Sequence, residues 1–165
     1  MATDRYRNAG RVILVTIAIL AMGEMGSGIA GRFVERGARV VTSVQGRSQA
    51  SVERAKAAGV EMLADRDVIG EADLFLSVVP PASAKDMAVW FLTVVDTARA
   101  PVFIDCNAIA PQTLKVIAEG FADRGLRFID GSIIGAAPRA DGYSPRLYLS
   151  GPTSDEGDTI GALGI

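Results

Sequence analysis

Histidine is absent from the 165-residue sequence, and cysteine occurs once, at Cys106. A single cysteine excludes a disulfide within the chain, and the lack of histidine removes the nitrogen ligand that most transition-metal sites use. Charge of either sign is not in excess, because 17 basic and 19 acidic residues leave a net charge of −2. The basic residues are also scattered, which does not produce the positive surface that binds a phosphate backbone. We therefore expect no disulfide, no metal site and no nucleic-acid partner.

Apolar runs long enough to cross a membrane are lacking as well. The run over residues 12–22 is shorter than the roughly 20 residues of a membrane helix. Arg5, Arg7 and Arg11 precede it, as a basic region precedes the core of a signal peptide. The alternative is a buried strand that leads into the glycine pattern behind it, and we favour this interpretation. We therefore expect a cytoplasmic protein that does not bind membranes.

Short apolar runs alternate with stretches of helical period along the rest of the chain, and glycine marks many of the joins. Strands are predicted at residues 15–20, 39–44, 60–63, 74–79, 102–105, 127–130 and 146–150. Helices are predicted at residues 26–36, 48–59, 65–71, 83–98 and 111–125. The expected helix starts are a cap by Ser48, a cap by Asp65, a capping box of Ser83 with Asp86, and Pro111 in a first turn.

Strands that alternate with crossover helices predict a parallel sheet, because each parallel connection must travel back over the sheet. The fold class is α/β: a Rossmann-type, doubly wound, mostly parallel sheet with helices on both faces. Ligands of such sheets bind beyond the carboxyl ends of the strands. The segments in which to look for a site are therefore residues 21–28, 45–48, 79–82 and 106–111.

The first of these segments carries a dinucleotide-binding fingerprint. It reads Ala21-Met22-Gly23-Glu24-Met25-Gly26, which is G-x-G-x-x-G with alanine at the first glycine position. In this pattern Gly23 lets the backbone approach the pyrophosphate and Gly26 lets the helix pack closely on the strand. The alternative is a glycine-rich connection without a ligand. The strand before and the amphipathic helix after favour a cofactor site made of all six residues.

The end of the second predicted strand favours NADP over NAD. An NAD-binding domain usually places an acidic residue there, about 20 residues after the fingerprint, to bind the ribose 2′-hydroxyl. This chain has Thr42 and Ser43 instead, followed closely by Arg47 and Ser48. A guanidinium, hydroxyls and a helix N-terminus suit a 2′-phosphate. We expect Ser43, Arg47 and Ser48 to bind it; the alternative is that Arg47 is a solvated loop residue and Ser48 only a cap.

Four segments, in order along the chain, resemble the 6-phosphogluconate and β-hydroxyacid dehydrogenase superfamily. They are the fingerprint stretch at residues 23–30, the Ser-Val-Val-Pro-Pro loop at 77–81, the Asp-Cys-Asn-Ala-Ile-Ala-Pro segment at 105–111, and Phe-Ile-Asp-Gly at 128–131. The resemblance covers about residues 15–152. It implies hydride transfer between a nicotinamide cofactor and a small hydroxy acid, carbonyl or imine.

The same resemblance implies roles for the loops after the later strands. Val79 and Pro80 are expected beside the nicotinamide end of the cofactor, together with Asn107.

The substrate side is implied to consist of Cys106, Asn107, Ala108 and Gly135. Cys106 and Asn107 stand where the superfamily usually has serine and threonine, and Gly135 is a single glycine where a pair is usual. A nucleophilic role for Cys106 is disfavoured because no histidine is present to activate it. Asp105 and Asp130 are interpreted as strand-end carboxylates that support loops.

Members of the superfamily carry a catalytic lysine on a helix shortly after this domain. The three lysines here, Lys56, Lys85 and Lys115, fall in predicted crossover helices and are interpreted as solvated positions, so no catalytic residue is assigned. We therefore expect an extension at residues 1–11, an NADP-binding domain at 12–152 and a tail at 153–165, cut before the helical domain.

Three interpretations follow, in order of preference. The first is the cofactor domain of an oxidoreductase, for which the resemblance implies a homodimer in a longer parent chain. The second is a stand-alone NADP-binding module or redox sensor. The third is a subunit that a separate chain completes. For the preferred interpretation, the partners expected are NADP(H) and a small-molecule substrate.

Overall fold

The computed structural model describes residues 15–151 and 154–165, with the side chain of Ser154 left out. The N-terminal extension predicted at residues 1–11, with Arg5, Arg7 and Arg11, lies outside the described residues. Within the described part of the chain, no helix combines the length and apolarity that crossing a bilayer requires.

Strands and helices alternate as the sequence predicts. The strands are β1 (Thr16–Ala18), β2 (Arg39–Thr42), β3 (Glu61–Met62), β4 (Leu74–Ser77), β5 (Val102–Asp105), β6 (Phe128–Ile134) and β7 (Arg146–Ser150). The helices are α1 (Glu24–Glu35), α2 (Gln49–Ala57), α3 (Asp65–Glu71), α4 (Ala84–Val94), α5 (Pro111–Ala122) and α6 (Ser154–Ala162). Short 3-10 turns at Pro81–Ser83 and Thr97–Arg99 precede and follow α4.

The seven strands form one sheet in the order β3-β2-β1-β4-β5-β6-β7. All neighbouring pairs are parallel except β6 and β7, which are antiparallel. The order reverses between β1 and β4, since the chain winds outward from β1 in one direction and from β4 in the other. This confirms the doubly wound α/β fold, and the crevice where a ligand is expected opens beyond β1 and β4.

Both faces of the sheet are covered, because side chains alternate from one face to the other along each strand. Ile17, Leu74 and Ile104 belong to the cluster that packs under α1, α2 and α6. The intervening residues of the same strands belong to the cluster under α3, α4 and α5. On that second face Phe75, Phe91, Phe103, Phe121 and Phe128 form a connected set of ring contacts.

Two of the predicted helix starts are confirmed and two are wrong. Ser48 caps α2 by accepting a hydrogen bond from the Ser51 N–H at 3.3 Å, and Pro111 is in the first turn of α5. Asp65 is instead the first residue of α3, behind an extended Ala64. Ser83 has helical dihedrals within a 3-10 turn, and its side chain caps nothing. A capping side chain needs an extended residue, and the 3-10 turn has already bent the chain at Ser83.

Several boundaries also differ from the prediction. α1 starts at Glu24 rather than at residue 26, so the last three residues of the fingerprint are helical. α4 ends at Val94 rather than at residue 98, because Val95 is extended and Asp96 caps a separate 3-10 turn. β6 continues to Ile134 instead of ending at residue 130, since β7 supplies an antiparallel partner up to the pair Ile134 and Arg146.

The segment predicted as a polar tail contributes to the core. In α6 and the turn after it, Ile160 and Leu163 are buried in the cluster that also holds α1. Glu156, which is 2% exposed, accepts an ion-pair contact from Arg127 Nη1 at 2.7 Å. Ile160 and Leu163 are three positions apart, so they lie on the one face that packs on the sheet, while Asp155 and Asp158 are exposed.

Replacing Gly26 with alanine should destabilise the protein by about 1–3 kcal/mol, because a β-carbon there would lie 2.0 Å from the Ala21 carbonyl oxygen. The matched control is Gly70→Ala in α3, where a β-carbon meets nothing within 4 Å. That change should stabilise the fold by up to about 1 kcal/mol, the helix preference of alanine. Urea denaturation measures both, and equal effects would contradict the close packing at Gly26.

Candidate functional site: the carboxyl edge of the sheet

The fingerprint turn follows β1 at the place where the strand order reverses. Gly26 has a packing reason to be glycine, given its approach to the Ala21 carbonyl. Gly23 has none: its φ is −71°, which any residue adopts, and a β-carbon there would meet nothing within 4 Å. Open space therefore lies above the backbone at Gly23. A glycine required neither by conformation nor by packing fits the close approach of a bound group.

The first turn of α1 supplies free hydrogen-bond donors beside this space. Gly23 is the N-cap residue and its helix has no side-chain cap. The first bond of the turn runs from the Ser27 N–H to the Gly23 carbonyl at 2.9 Å, which leaves the amides of Glu24, Met25 and Gly26 without a partner inside the helix. Free amides and the positive end of the helix dipole suit a pyrophosphate. The residues present thus fit a dinucleotide.

The loop after β2 places Arg47 at the carboxyl edge of the sheet. Gly46, with a φ of +67°, occupies the left-handed position of a turn closed by the Arg47 N–H and the Val44 carbonyl at 3.1 Å. No hydrogen bond or ion pair joins the Arg47 side chain to another residue within the described ranges, and the residue is exposed. The buried Ser43 hydroxyl accepts from the Gln45 N–H.

Two buried side-chain oxygens at this edge have no hydrogen-bond partner among the described residues. They are Oγ1 of Thr42 and Oδ2 of Asp105. Each belongs to the last residue of its strand, β2 or β5. Unsatisfied polar atoms are uncommon in protein interiors. Both of these lie at the carboxyl ends of strands, where ligands bind in sheets of this type.

The loops after β4 and β5 are joined by a network around Asn107, which is 6% exposed. Its Oδ1 accepts a hydrogen bond from the Val79 N–H at 2.8 Å. Its Nδ2 donates to Ser77 Oγ at 3.1 Å and also to Asp105 Oδ1. Both amide hydrogens are therefore used within the protein, and one lone pair of Oδ1 remains for a ligand.

Burial raises the pKa of Asp105 to about 6, and the nearby Asp130 carboxylate acts in the same direction. Burial also raises the pKa of Asp130, which pairs with Asp105 across β5 and β6. The charged form is disfavoured at both neighbouring carboxyls; Asp105 ends β5 as expected, whereas Asp130 lies inside β6, which was predicted to end there. No ion pair joins either carboxyl to a basic side chain among residues 15–151 and 154–165.

Cys106 follows Asp105 and is buried, with its Sγ 3.7 Å from the Ile104 carbonyl oxygen. Burial raises the pKa of its thiol well above the usual range. The thiolate, which is the nucleophilic form, is thus disfavoured at neutral pH. The structure gives Cys106 the environment of an inert core residue.

The other two predicted substrate residues border the same edge. Ala108 is exposed directly after Asn107, and Gly135 follows the end of β6. Gly135 has a structural reason to be glycine, because its φ is +126° and a β-carbon would lie 2.3 Å from the Tyr143 hydroxyl. All three lysines of the chain are exposed on α2, α4 and α5, and Lys56 and Lys115 contact glutamates of their own helices.

The sequence analysis missed Arg54 and gave Ser77 no role beyond its place in the loop at residues 77–81. Arg54, on α2, donates from Nε to the Met22 carbonyl at 2.6 Å and so braces the fingerprint turn. Ser77 accepts from Asn107. Ser77 could have been found from its place at the end of a predicted strand. In the sheet it is the direct neighbour of Asp105. Arg54 gave no signal, because its partner is a backbone atom 32 residues away.

A cavity of about 620 Å³ lies on the outer side of α1, between α2 and the segment at residues 136–140. It shares only Glu24 with the predicted site residues. The position of the candidate site therefore rests on the strand-end loops and not on this cavity.

Residues 16–154 match the family model described as the NAD-binding domain of 6-phosphogluconate dehydrogenase. The chain belongs to this family. An uncharacterised 28.5 kDa protein of Methanothermus fervidus is 30% identical over 124 residues, which cover 74% of this chain and 47% of the relative. The 3-hydroxyisobutyrate dehydrogenase of Pseudomonas aeruginosa is 26% identical over 144 residues, covering 84% and 47%.

Among solved structures, a conserved protein of unknown function with structural similarity to 3-hydroxyacid dehydrogenases aligns with a TM-score of 0.78 and 28% identity, covering 92% of this chain and 55% of the other. The chain thus spans about half the length of the relatives it matches. The predicted superfamily resemblance is confirmed, and the chain is a pyridine-nucleotide-binding domain of this family.

The raised pKa of Asp105 has a definite effect on stability. The folded state holds this proton more tightly than the unfolded state, so the contribution is present below about pH 4 and is lost as the pH rises through 6. The stability of the natural protein minus that of Asp105→Asn should fall between pH 4 and 7 by an amount on the order of 1–3 kcal/mol. Urea denaturation across this range measures it, and a difference that is flat or rises with pH would contradict the assignment.

Proposed function

We propose that this domain binds NADP(H) and serves an oxidoreductase that transfers hydride between NADP(H) and a small hydroxy acid, carbonyl or imine. The observation that carries the cofactor site is the open backbone at Gly23 beside the free amides of α1. Nothing among the described residues requires glycine at this position, whereas the close approach of a dinucleotide's pyrophosphate does.

The preference for NADP rests on the loop after β2. A carboxylate that would repel a 2′-phosphate is missing from the strand end, where Thr42 and Ser43 stand. Arg47 presents an exposed guanidinium just before the N-terminus of α2, and Ser48 is already engaged as the cap of that helix. A guanidinium next to a helix N-terminus is a favourable environment for a doubly charged phosphate.

The remaining loops receive their proposed roles from the family resemblance. Val79 and Pro80, after β4, border the nicotinamide end; Cys106, Asn107, Ala108 and Gly135 border the substrate side. NADPH, when bound, supplies the hydride, and the protein supplies orientation. The name of the Pseudomonas relative supports a 3-hydroxy acid as the substrate class. No lysine lies at these loops, and we assign proton transfer to none of their residues.

A second candidate is an NADP-binding module without turnover, and the exposed positions of the three lysines on helices favour it. Incubation with NADP⁺ and a series of small 3-hydroxy acids, including 3-hydroxyisobutyrate, separates the two. Formation of NADPH supports the oxidoreductase. NADPH binding without turnover of any substrate supports the module.

Replacing Arg47 with alanine should weaken NADPH binding by about 1–3 kcal/mol, the usual contribution of a hydrogen bond to a charged group, and leave NADH binding nearly unchanged. Calorimetric titration with both cofactors measures this. Arg36→Ala is the matched control, because Arg36 is an exposed arginine at the opposite end of α1 and its loss changes the net charge equally. Equal losses for NADPH and NADH would refute the 2′-phosphate assignment.

Replacing Gly23 with valine should reduce the affinity for both cofactors about tenfold or more, because the side chain would occupy the space assigned to the pyrophosphate. The thermal unfolding midpoint should stay close to that of the natural protein, since the added β-carbon meets no atom within 4 Å. Unchanged affinity would mean that no dinucleotide passes over this turn.

A further inference from the structure

One carboxamide joins the two loops that flank the end of the candidate site. β4 and β5 are paired up to Ser77 and Asp105, and the Cys106 N–H bonds to the Ser77 carbonyl at 3.0 Å. Beyond this contact the two loops are joined by the side chain of Asn107. It accepts a hydrogen bond from the Val79 N–H and donates to the side chains of Ser77 and Asp105.

The geometry of this carboxamide is fixed from three sides. The Val79 N–H requires an acceptor, while Ser77 Oγ and Asp105 Oδ1 each take one amide hydrogen. Only one orientation of the amide satisfies all three, because its oxygen accepts and its nitrogen donates. A serine or threonine hydroxyl, with a single hydrogen, cannot make both donations.

Few other backbone hydrogen bonds hold this segment in the described part of the chain. Val79 is followed by two prolines, which carry no backbone N–H. Its next backbone bond runs from the Ser83 N–H to the Pro80 carbonyl at 2.8 Å, inside the 3-10 turn. The prolines stiffen the segment, and the bond to Asn107 fixes where it lies relative to the loop after β5.

We propose that Asn107 is a positioning residue: with Ser77 and Asp105 it fixes the Val79–Pro80 segment where the nicotinamide half of the dinucleotide binds. This inference rests on the proposed function. It separates Asn107 from the residues that hold the adenosine half, because Arg47 and the fingerprint turn belong to other loops. Removing the carboxamide should therefore affect one half of the cofactor only.

The experiment compares NADPH with 2′,5′-ADP, which carries the adenosine half alone, in calorimetric titrations of the natural protein and of Asn107→Ala. NADPH binding should weaken on the order of tenfold, the effect of a lost buried hydrogen bond, while 2′,5′-ADP binding stays within about twofold. Gln112→Ala removes an exposed carboxamide five positions along the chain and should change neither value. Ser77→Ala, a milder change, should show the same split to a smaller degree if Asn107→Ala fails to fold.

The outcomes are distinguishable. Unchanged NADPH affinity, or equal losses for NADPH and 2′,5′-ADP, in variants of a protein that binds both would overturn the positioning role and leave the proposed function intact. If the natural protein binds neither compound, the proposed function fails, and this inference fails with it.

Discussion

Helix α1 approaches the end of β1 so closely that only a hydrogen atom fits at position 26. A β-carbon there would lie 2.0 Å from the Ala21 carbonyl oxygen. This contact directs the first turn of the helix, with its unpaired amides, toward the space beyond the central strand. Because the strand order reverses beside β1, that space is also where the loops after β4 and β5 converge. The remaining parts of the site are arranged around this approach.

The fingerprint turn is not an isolated element. Arg54 bonds to the Met22 carbonyl and thereby links the turn to α2, the helix that begins directly after Arg47 and Ser48. The segment proposed to hold a 2′-phosphate and the turn proposed to hold the pyrophosphate are thus joined through α2 by the Arg54 side chain. On the other side of the crevice, Asn107 joins two more loops in the same manner.

Patterns that depend on local spacing were predicted well from the sequence. The alternation of strands and helices, the fingerprint and the cap at Ser48 belong to this group, since periodicity and glycine placement act over a few residues. β6 was predicted to end at residue 130, whereas pairing with β7 extends it to Ile134. The length of a strand that depends on a partner distant in sequence cannot be predicted from the residues of that strand alone.

The network around Asn107 illustrates the same limit within the site. The sequence placed Asn107 at the ligand edge, but it did not show that both amide hydrogens are used by Ser77 and Asp105. That result depends on the register between β4 and β5, which brings residues 77 and 105 side by side. Residue type predicts what a side chain can bind; the pairing of strands decides what it does bind.

The packing of α6 affects how the domain can be shortened for study. The family match stops at residue 154, and a cut at that point would appear natural. It would remove Ile160 and Leu163 from the core and uncover Leu147 and Leu149, the inward-facing residues of β7. An edge strand with an uncovered apolar face tends to pair with other copies of itself. A version that ends before α6 would therefore be prone to aggregation, even though every residue of the candidate site would still be present.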